Sequence, residues 1–171
     1  MIRPEDLLSQ AEHLAWLDAA YPAEVNLRRA ISAAYYALFH ALTEVGASLS
    51  GTTSVELQNQ IRRAYNHGTM RSVCEVYSRA RTRPFPSPHD LLLRAPIDPR
   101  IHDIAAVFLE LQEARNQADY DLLSTVSVRD TDHLITVARR AVRDLRVIES
   151  LPETSVFLTA LLLADRWTRR G

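Results

Sequence analysis

The segment Arg115–Asp121 carries more polar side chains than helix packing requires. On a helix, Arg115 and Asp119 lie one turn apart on one face, and Asn116 and Tyr120 lie one turn apart on the adjacent face. A guanidinium binds phosphate oxygens, and a carboxamide and a phenol beside it donate or accept hydrogen bonds. The spacing fits equally well with an intrahelical ion pair between Arg115 and Asp119 and a packed Tyr120.

A second group of such residues lies in the segment 28–41. Tyr36 and His40 are one turn apart on a helix, and Arg28 and Ser32 precede them by one or two turns on the same side. The ordinary alternative for a histidine on an apolar helix is a hydrogen-bonded structural role. Both readings of Tyr36 and His40 remain open from the sequence.

The composition predicts the elements that must position these residues. Only four glycines and eight prolines occur in 171 residues, of which 47% are hydrophobic. A β-protein of this size needs more turn residues, and the length suffices for one core. We therefore predict an all-α fold: residues 1–171 form a single-domain antiparallel helical bundle of about five to seven helices.

Hydrophobic periodicity and start and stop signals place the first helices. A helix is predicted from Pro4 to near Tyr21, and a mostly apolar one from Pro22 and Glu24 to a stop at Gly46. The apolar composition of this second helix predicts a central place in the core. Residues 55–80 predict two helices separated by a break around His67 and Gly68.

The second half begins with a proline-rich stretch, residues 81–100, which holds five of the eight prolines. It predicts a surface loop of polyproline type, because proline is excluded from helix interiors. A long helix should follow from Pro99 to Leu123. Ser127 predicts the cap of the next helix, and Pro152 opens a last helix that ends at Trp167.

Charge and cysteine content restrict the partners and the compartment. The formal net charge is −1, so affinity for a nucleic acid must come from a local group of cations. One such group is Arg79, Arg81 and Arg83, at the entry to the proline-rich stretch, where they could bind RNA. The alternative is that these arginines only form a solvated helix face.

The single cysteine, Cys74, indicates a reducing cytoplasm. The most apolar run, residues 156–164, is too short to cross a bilayer, so no membrane association is expected.

Two motifs resemble the HEPN superfamily, in particular its small stand-alone bacterial and archaeal members. They are the arginine-rich entry to Tyr-Tyr-Ala-Leu-Phe-His, which ends at His40, and the later Arg-Asn-Gln-Ala-Asp-Tyr, which begins at Arg115. Their order and separation make the pair more specific than either motif alone. The resemblance covers about residues 22–150.

The resemblance implies an α-helical bundle that forms a homodimer with one composite cleft. In active relatives this cleft is a metal-independent endoribonuclease site that needs no cofactor. Arg115 and Asn116 occupy the positions of the family's arginine and adjacent polar residue. The chain departs from the pattern at Tyr120, where active members carry a histidine. A phenol, with an ordinary pKa of about 10, is a poor base at neutral pH, so His40 or His102 would have to act instead.

Three hypotheses follow from these observations. The first is an RNA endonuclease of a toxin–antitoxin or phage-defence system, with Arg115, Asn116 and Tyr120 catalytic and with Asp119, Tyr36 and His40 in support. The second is a catalytically inactive HEPN module that binds RNA, a nucleotide, or a partner such as a nucleotidyltransferase or antitoxin. Some relatives carry a tyrosine that such a nucleotidyltransferase modifies, and here that position is Leu122. The third is a scaffold in which the Arg–Asp pair only locks helices together.

Overall fold

The computed structural model of the chain describes residues 2–17, 22–80, 84–93, 96–121 and 123–167. Every regular element in these ranges is a helix, which confirms the all-α prediction. The helices are α1 (Pro4–Trp16), α2 (Glu24–Ser48), α3 (Val55–Arg63), α4 (His67–Arg79), α5 (His89–Leu92), α6 (Pro99–Tyr120), α7 (Val128–Ile148) and α8 (Pro152–Trp167).

The chain divides into two compact units, each made of two separate stretches. The first unit comprises Met1–Ala41 and Val107–Arg143, and the second comprises Leu42–Ala106 and Asp144–Gly171. The core of the first unit contains Ile31, Tyr35 and Phe108, and the rings of Tyr35 and Phe108 are 5.7 Å apart. The core of the second contains Tyr77 and Phe157, whose rings are 4.8 Å apart. The apolar residues of α2 are buried along most of its length, as its composition predicted.

The described residues form eight helices rather than five to seven, and the additional one is α5. The proline-rich stretch was predicted to be a loop, but it holds this single helical turn and the first residues of α6. No proline lies inside α5: Pro88 is its N-cap, with no side-chain hydrogen bond, and Pro99 opens α6. Proline is tolerated at these positions because the first N–H groups of a helix have no intrahelical partner.

Gly46 does not end α2, which continues to Ser48. A Cβ atom at this position would lie 1.8 Å from the hydroxyl oxygen of Tyr65. Gly46 is therefore required by the close approach of Tyr65, whose hydroxyl donates to the carbonyl of Leu158. The glycine with left-handed backbone is Gly51, at φ +66°.

The break between α3 and α4 lies at residues 64–66, and not at His67 and Gly68. The side chain of Asn66 accepts hydrogen bonds from the N–H groups of Gly68 at 2.8 Å and Thr69 at 3.3 Å. This cap satisfies two N–H groups of the first turn, so α4 begins at His67. The expectation of two helices in this region is confirmed, with the boundary moved.

Three other helix ends were also predicted. The long helix α6 ends at Tyr120, and Leu123 is 95% exposed, so it does not extend the apolar stripe. Helix α1 ends at Trp16, and the predicted end near Tyr21 lies outside the described residues. The predicted start of α8 at Pro152 is confirmed, and Trp167, its predicted end, is the last residue that the structure describes. None of the helices in the described ranges has the length and apolarity that a membrane crossing requires.

Candidate functional site

Three side chains of α2 reach the C-terminal end of α6, and they repeat at one-turn intervals. They are Arg28, Ser32 and Tyr36, which contact different groups of α6 within the first unit. The interval of four residues places all three on one face of α2. The sequence pattern indicated this shared face, and the structure shows that it is directed at the segment that begins at Arg115.

Arg28 closes the C-terminal end of α6 by hydrogen bonding to its last carbonyls. Its guanidinium donates to the backbone oxygens of Gln117 at 3.4 Å, Ala118 at 2.9 Å, Asp121 at 2.9 Å and Ser124 at 2.5 Å. The carboxylate of Glu24, one turn earlier on α2, holds the same guanidinium at 2.7 Å. The cation thus donates to carbonyls of the last turn of α6 and of the residues that follow it, and it offsets the negative end of the helix dipole.

Arg115 is the centre of the polar cluster on α6. Its Nε lies 2.7 Å from Asp119 Oδ2, but the N–H is not in line with the carboxylate, so the contact is an ion pair and not a hydrogen bond. The two terminal nitrogens donate to Asn116 Oδ1 at 3.3 Å and to the Tyr36 hydroxyl at 3.2 Å. The guanidinium carbon also lies 5.4 Å from the centre of the Tyr120 ring, within the range of a cation–π contact.

These contacts leave part of the Arg115 guanidinium unused. Of its five N–H groups, two on the terminal nitrogens have no partner among the described residues. Burial lowers the pKa of Arg115, but Tyr36, Asp119 and Tyr120 outweigh that effect and raise the pKa above its ordinary value. The side chain is therefore a permanent cation that still has hydrogen-bonding capacity for an anion.

Asp119 is held from two sides. Ser32 of α2 donates its hydroxyl to Asp119 Oδ1 at 2.7 Å, while Oδ2 faces Arg115. Ser32 is buried, and the Asp119 side chain is 22% exposed. The carboxylate consequently keeps its place beside the guanidinium, and it neutralises much of the charge that a phosphate would bind.

Tyr120 and Asn116 form the exposed margin of the cluster. The Tyr120 side chain is 73% exposed, and its hydroxyl has no partner in the described part of the chain. Asn116 is half-buried, and its amide nitrogen is likewise uncommitted there, because only its oxygen bonds to Arg115. An aromatic ring, an amide and a cation are thus presented together, a combination that suits a sugar–phosphate backbone and a stacked base.

His40 is exposed and lies one turn beyond Tyr36 on α2. Its ring centre is 6.2 Å from that of Tyr36 and 5.6 Å from that of Phe39. It is not one of the partners of Arg115 among the described residues. Of the site residues predicted from the sequence, the structure therefore joins Tyr36, Arg115, Asn116, Asp119 and Tyr120 directly and places His40 at their edge.

The remaining predicted positions do not join this cluster. His102 is buried in the second unit, and its Nδ1 lies 2.7 Å from the backbone oxygen of Tyr77, which is a structural role. Arg79 is exposed at the end of α4. Arg81, Arg83 and Leu122 lie outside the described residues.

Sequence reasoning missed the capping role of Arg28. The position of Arg28 on the face of Tyr36 carried no information about carbonyls some 90 positions away. It also missed a pair between Glu110 of α6 and His133 of α7, at 3.1 Å. Neither of these residues lies in a recognisable motif, so only the packing of the two helices reveals them.

Within the described ranges, no group of three or more His, Cys, Asp and Glu side chains is arranged to hold a metal ion.

Comparison with known proteins adds no relative. No family model, curated protein or solved structure matches the chain. The candidate site is therefore interpreted from its own geometry.

Proposed function

We propose that the chain is a HEPN-type, metal-independent RNA endonuclease of a toxin–antitoxin or phage-defence system, which acts as a homodimer through a composite cleft. The observation that carries the proposal is the pair of uncommitted N–H groups on Arg115, beside the Asn116 amide and the exposed Tyr120 ring. These groups match the donors that a phosphodiester and a neighbouring base require.

The reaction needs a nucleophile, a charge stabiliser and a proton acceptor. The ribose 2′-oxygen attacks the adjacent phosphorus, the bond from phosphorus to the 5′-oxygen of the next nucleotide breaks, that oxygen takes up a proton from water, and a cyclic phosphate remains. Arg115 stabilises the charge that develops on the phosphoryl oxygens, and Asn116 donates to one of them. His40, next to Tyr36, accepts the proton of the 2′-hydroxyl as general base, and Tyr120 stacks on a base of the RNA.

The dimer brings a second copy of the cluster to the same RNA. One guanidinium that is already paired with Asp119 offers little charge, whereas two clusters offer four uncommitted N–H groups and two exposed Tyr120 rings. Sizing by light scattering at micromolar concentration should give a dimer. A monomer at every concentration tested would remove the composite cleft.

Cleavage is tested with labelled single-stranded RNA in the presence of EDTA. The wild-type chain should cut the RNA, and Arg115→Ala should lower the rate at least about a hundredfold, because the charge stabiliser is lost. Arg29→Ala is the matched control, since Arg29 is the exposed neighbour of Arg28 and makes none of the contacts described for the site. Intact RNA at high protein concentration would reject the endonuclease.

One observation favours a second candidate, a non-catalytic HEPN module that binds RNA or a nucleotide, or that pairs with a nucleotidyltransferase or antitoxin. The ion pair of Arg115 with Asp119 weakens phosphate binding, and no imidazole in the described part of the chain bonds to the guanidinium. This candidate predicts salt-dependent RNA binding, measured by fluorescence anisotropy, that Arg115→Ala weakens without any cleavage. RNA that is neither cut nor bound would leave only the helical scaffold.

A further inference from the structure

A cavity of about 290 Å³ opens in the first unit between α6 and α7. Its floor is formed by Ile31, Ala118 and Leu134, which are all buried and apolar. Its rim is polar and includes Glu110 and His133. An apolar lining with a few polar groups that orient the ligand is the usual construction of a small-molecule site.

The charges at the rim decide which ligands fit. No arginine lines the cavity, and the carboxylates of Glu110 and Asp130 do. A phosphate is therefore repelled, whereas a group that donates hydrogen bonds is attracted. Glu110 Oε1 lies 3.1 Å from His133 Nε2, and the other carboxylate oxygen of Glu110 has no partner among the described residues. The carboxylate can thus accept from a ligand without leaving His133.

The cavity and the Arg115 cluster are both built on the C-terminal part of α6. Gln117 and Ala118 line the cavity, and they directly follow Asn116 and precede Asp119 in the sequence. Their carbonyls, and that of Ser124 on the cavity wall, are held by Arg28. The same arginine that closes α6 therefore also fixes one wall of the cavity.

We propose that this cavity is a base-recognition subsite that takes a guanine, with the ring on the apolar floor and the Glu110 carboxylate accepting from the N1–H and 2-amino groups. This inference rests on the proposed function, because it places the base in the cavity while a phosphate of the same RNA lies at Arg115. Guanine fits best because it presents two adjacent donors to one carboxylate. Uracil has no amino group, and hypoxanthine lacks the 2-amino group.

The test uses nucleosides, which carry no phosphate and therefore report on the cavity alone. Titration of the full chain with guanosine, followed by NMR or calorimetry, should show saturable binding. Inosine and uridine should bind at least about tenfold more weakly than guanosine, which is the discrimination that a good bidentate contact provides. Equal binding of guanosine and inosine, or no saturable binding of guanosine at millimolar concentration, would overturn the proposal.

Two variants and two controls locate the binding. Glu110→Gln should reduce guanosine binding to the inosine level, whereas Glu5→Gln, which removes an exposed carboxylate of α1 outside the cavity lining, should leave it unchanged. Ala114→Leu fills the cavity without a change of charge and should abolish binding of all three nucleosides. Thermal unfolding checks that each variant is folded. Equal effects of the two glutamate substitutions, or guanosine binding that survives Ala114→Leu, would contradict the assignment.

The two proposals fail in different ways. Arg115→Ala should abolish RNA cleavage and leave guanosine binding intact, because Arg115 is not part of the cavity lining. Guanosine binding by a chain that neither binds nor cuts RNA would reject the proposed function and the RNA subsite, and would leave a pocket for a free nucleoside. RNA cleavage without guanosine binding would reject the subsite alone.

Discussion

Ser32 donates its hydroxyl to Asp119 Oδ1 at 2.7 Å, so a small buried side chain of α2 holds the carboxylate that pairs with Arg115 of α6. The two residues are 87 positions apart in the chain. This bond makes the polar cluster part of the packing between α2 and α6, and not only a feature of the surface of α6. Any function of Arg115 therefore depends on α2.

The Ser32→Ala variant should unfold more easily than the wild type. The substitution leaves one oxygen of Asp119 without its donor in a half-buried position, which costs about 1–2 kcal/mol in the free energy of unfolding. Urea denaturation measures the difference. Ser72→Ala is the matched control, because the exposed Ser72 bonds only to the Gly68 carbonyl of its own helix. A loss no greater than that of the control would show that the bond contributes nothing.

The Asp119→Asn variant should bind RNA more tightly than the wild type, by about threefold to tenfold at low salt. The amide still accepts the Ser32 hydroxyl, but it no longer neutralises Arg115, so the guanidinium offers its full charge to a phosphate. Glu113→Gln changes the net charge equally at an exposed position of the same helix. Fluorescence anisotropy with single-stranded RNA compares the two, and identical gains would assign the effect to net charge alone.

The Arg28→Gln variant should lose about 2–4 kcal/mol of unfolding free energy, because several carbonyls at the end of α6 lose a charged donor. Arg29→Gln, at the adjacent exposed position, should change it by less than about 0.5 kcal/mol. Hydrogen exchange should show faster opening of the last turn of α6 in Arg28→Gln only. Equal stability of the two variants would disprove the capping role.

The stability of the chain should fall as the pH decreases through about 6.5, the ordinary pKa of histidine. Burial lowers the pKa of His89, and this effect exceeds the opposing one of Asp90, so the fold favours the neutral ring that packs on Tyr77. Stability from this group is therefore present above about pH 6.5 and is lost below it.

The measurement is the urea midpoint between pH 5 and 8. His89→Phe keeps a ring in the same place and should flatten the pH dependence, whereas His13→Gln, which removes an exposed imidazole, should not. An unchanged slope in His89→Phe would assign the pH dependence to other groups.

The sequence by itself determined the class of fold and the bounds of several elements. Ser127 caps α7 by accepting from the N–H of Asp130, and Pro152 opens α8, as local signals predicted. These features follow from groups within a few residues of one another, and capping and helix propensity act over that range. The pairing of Arg115 with Asp119 on their own helix follows from the sequence for the same reason.

Only the tertiary structure decided what the remaining residues do. Gly46 reads as a helix stop, yet it lies inside α2 because Tyr65 needs the space of its missing side chain. Leu123 reads as part of an apolar stripe, yet α6 ends before it, and Arg28 closes that end. Each of these outcomes depends on an atom that is distant in sequence, and helical periodicity carries no information about which distant atom a side chain will meet.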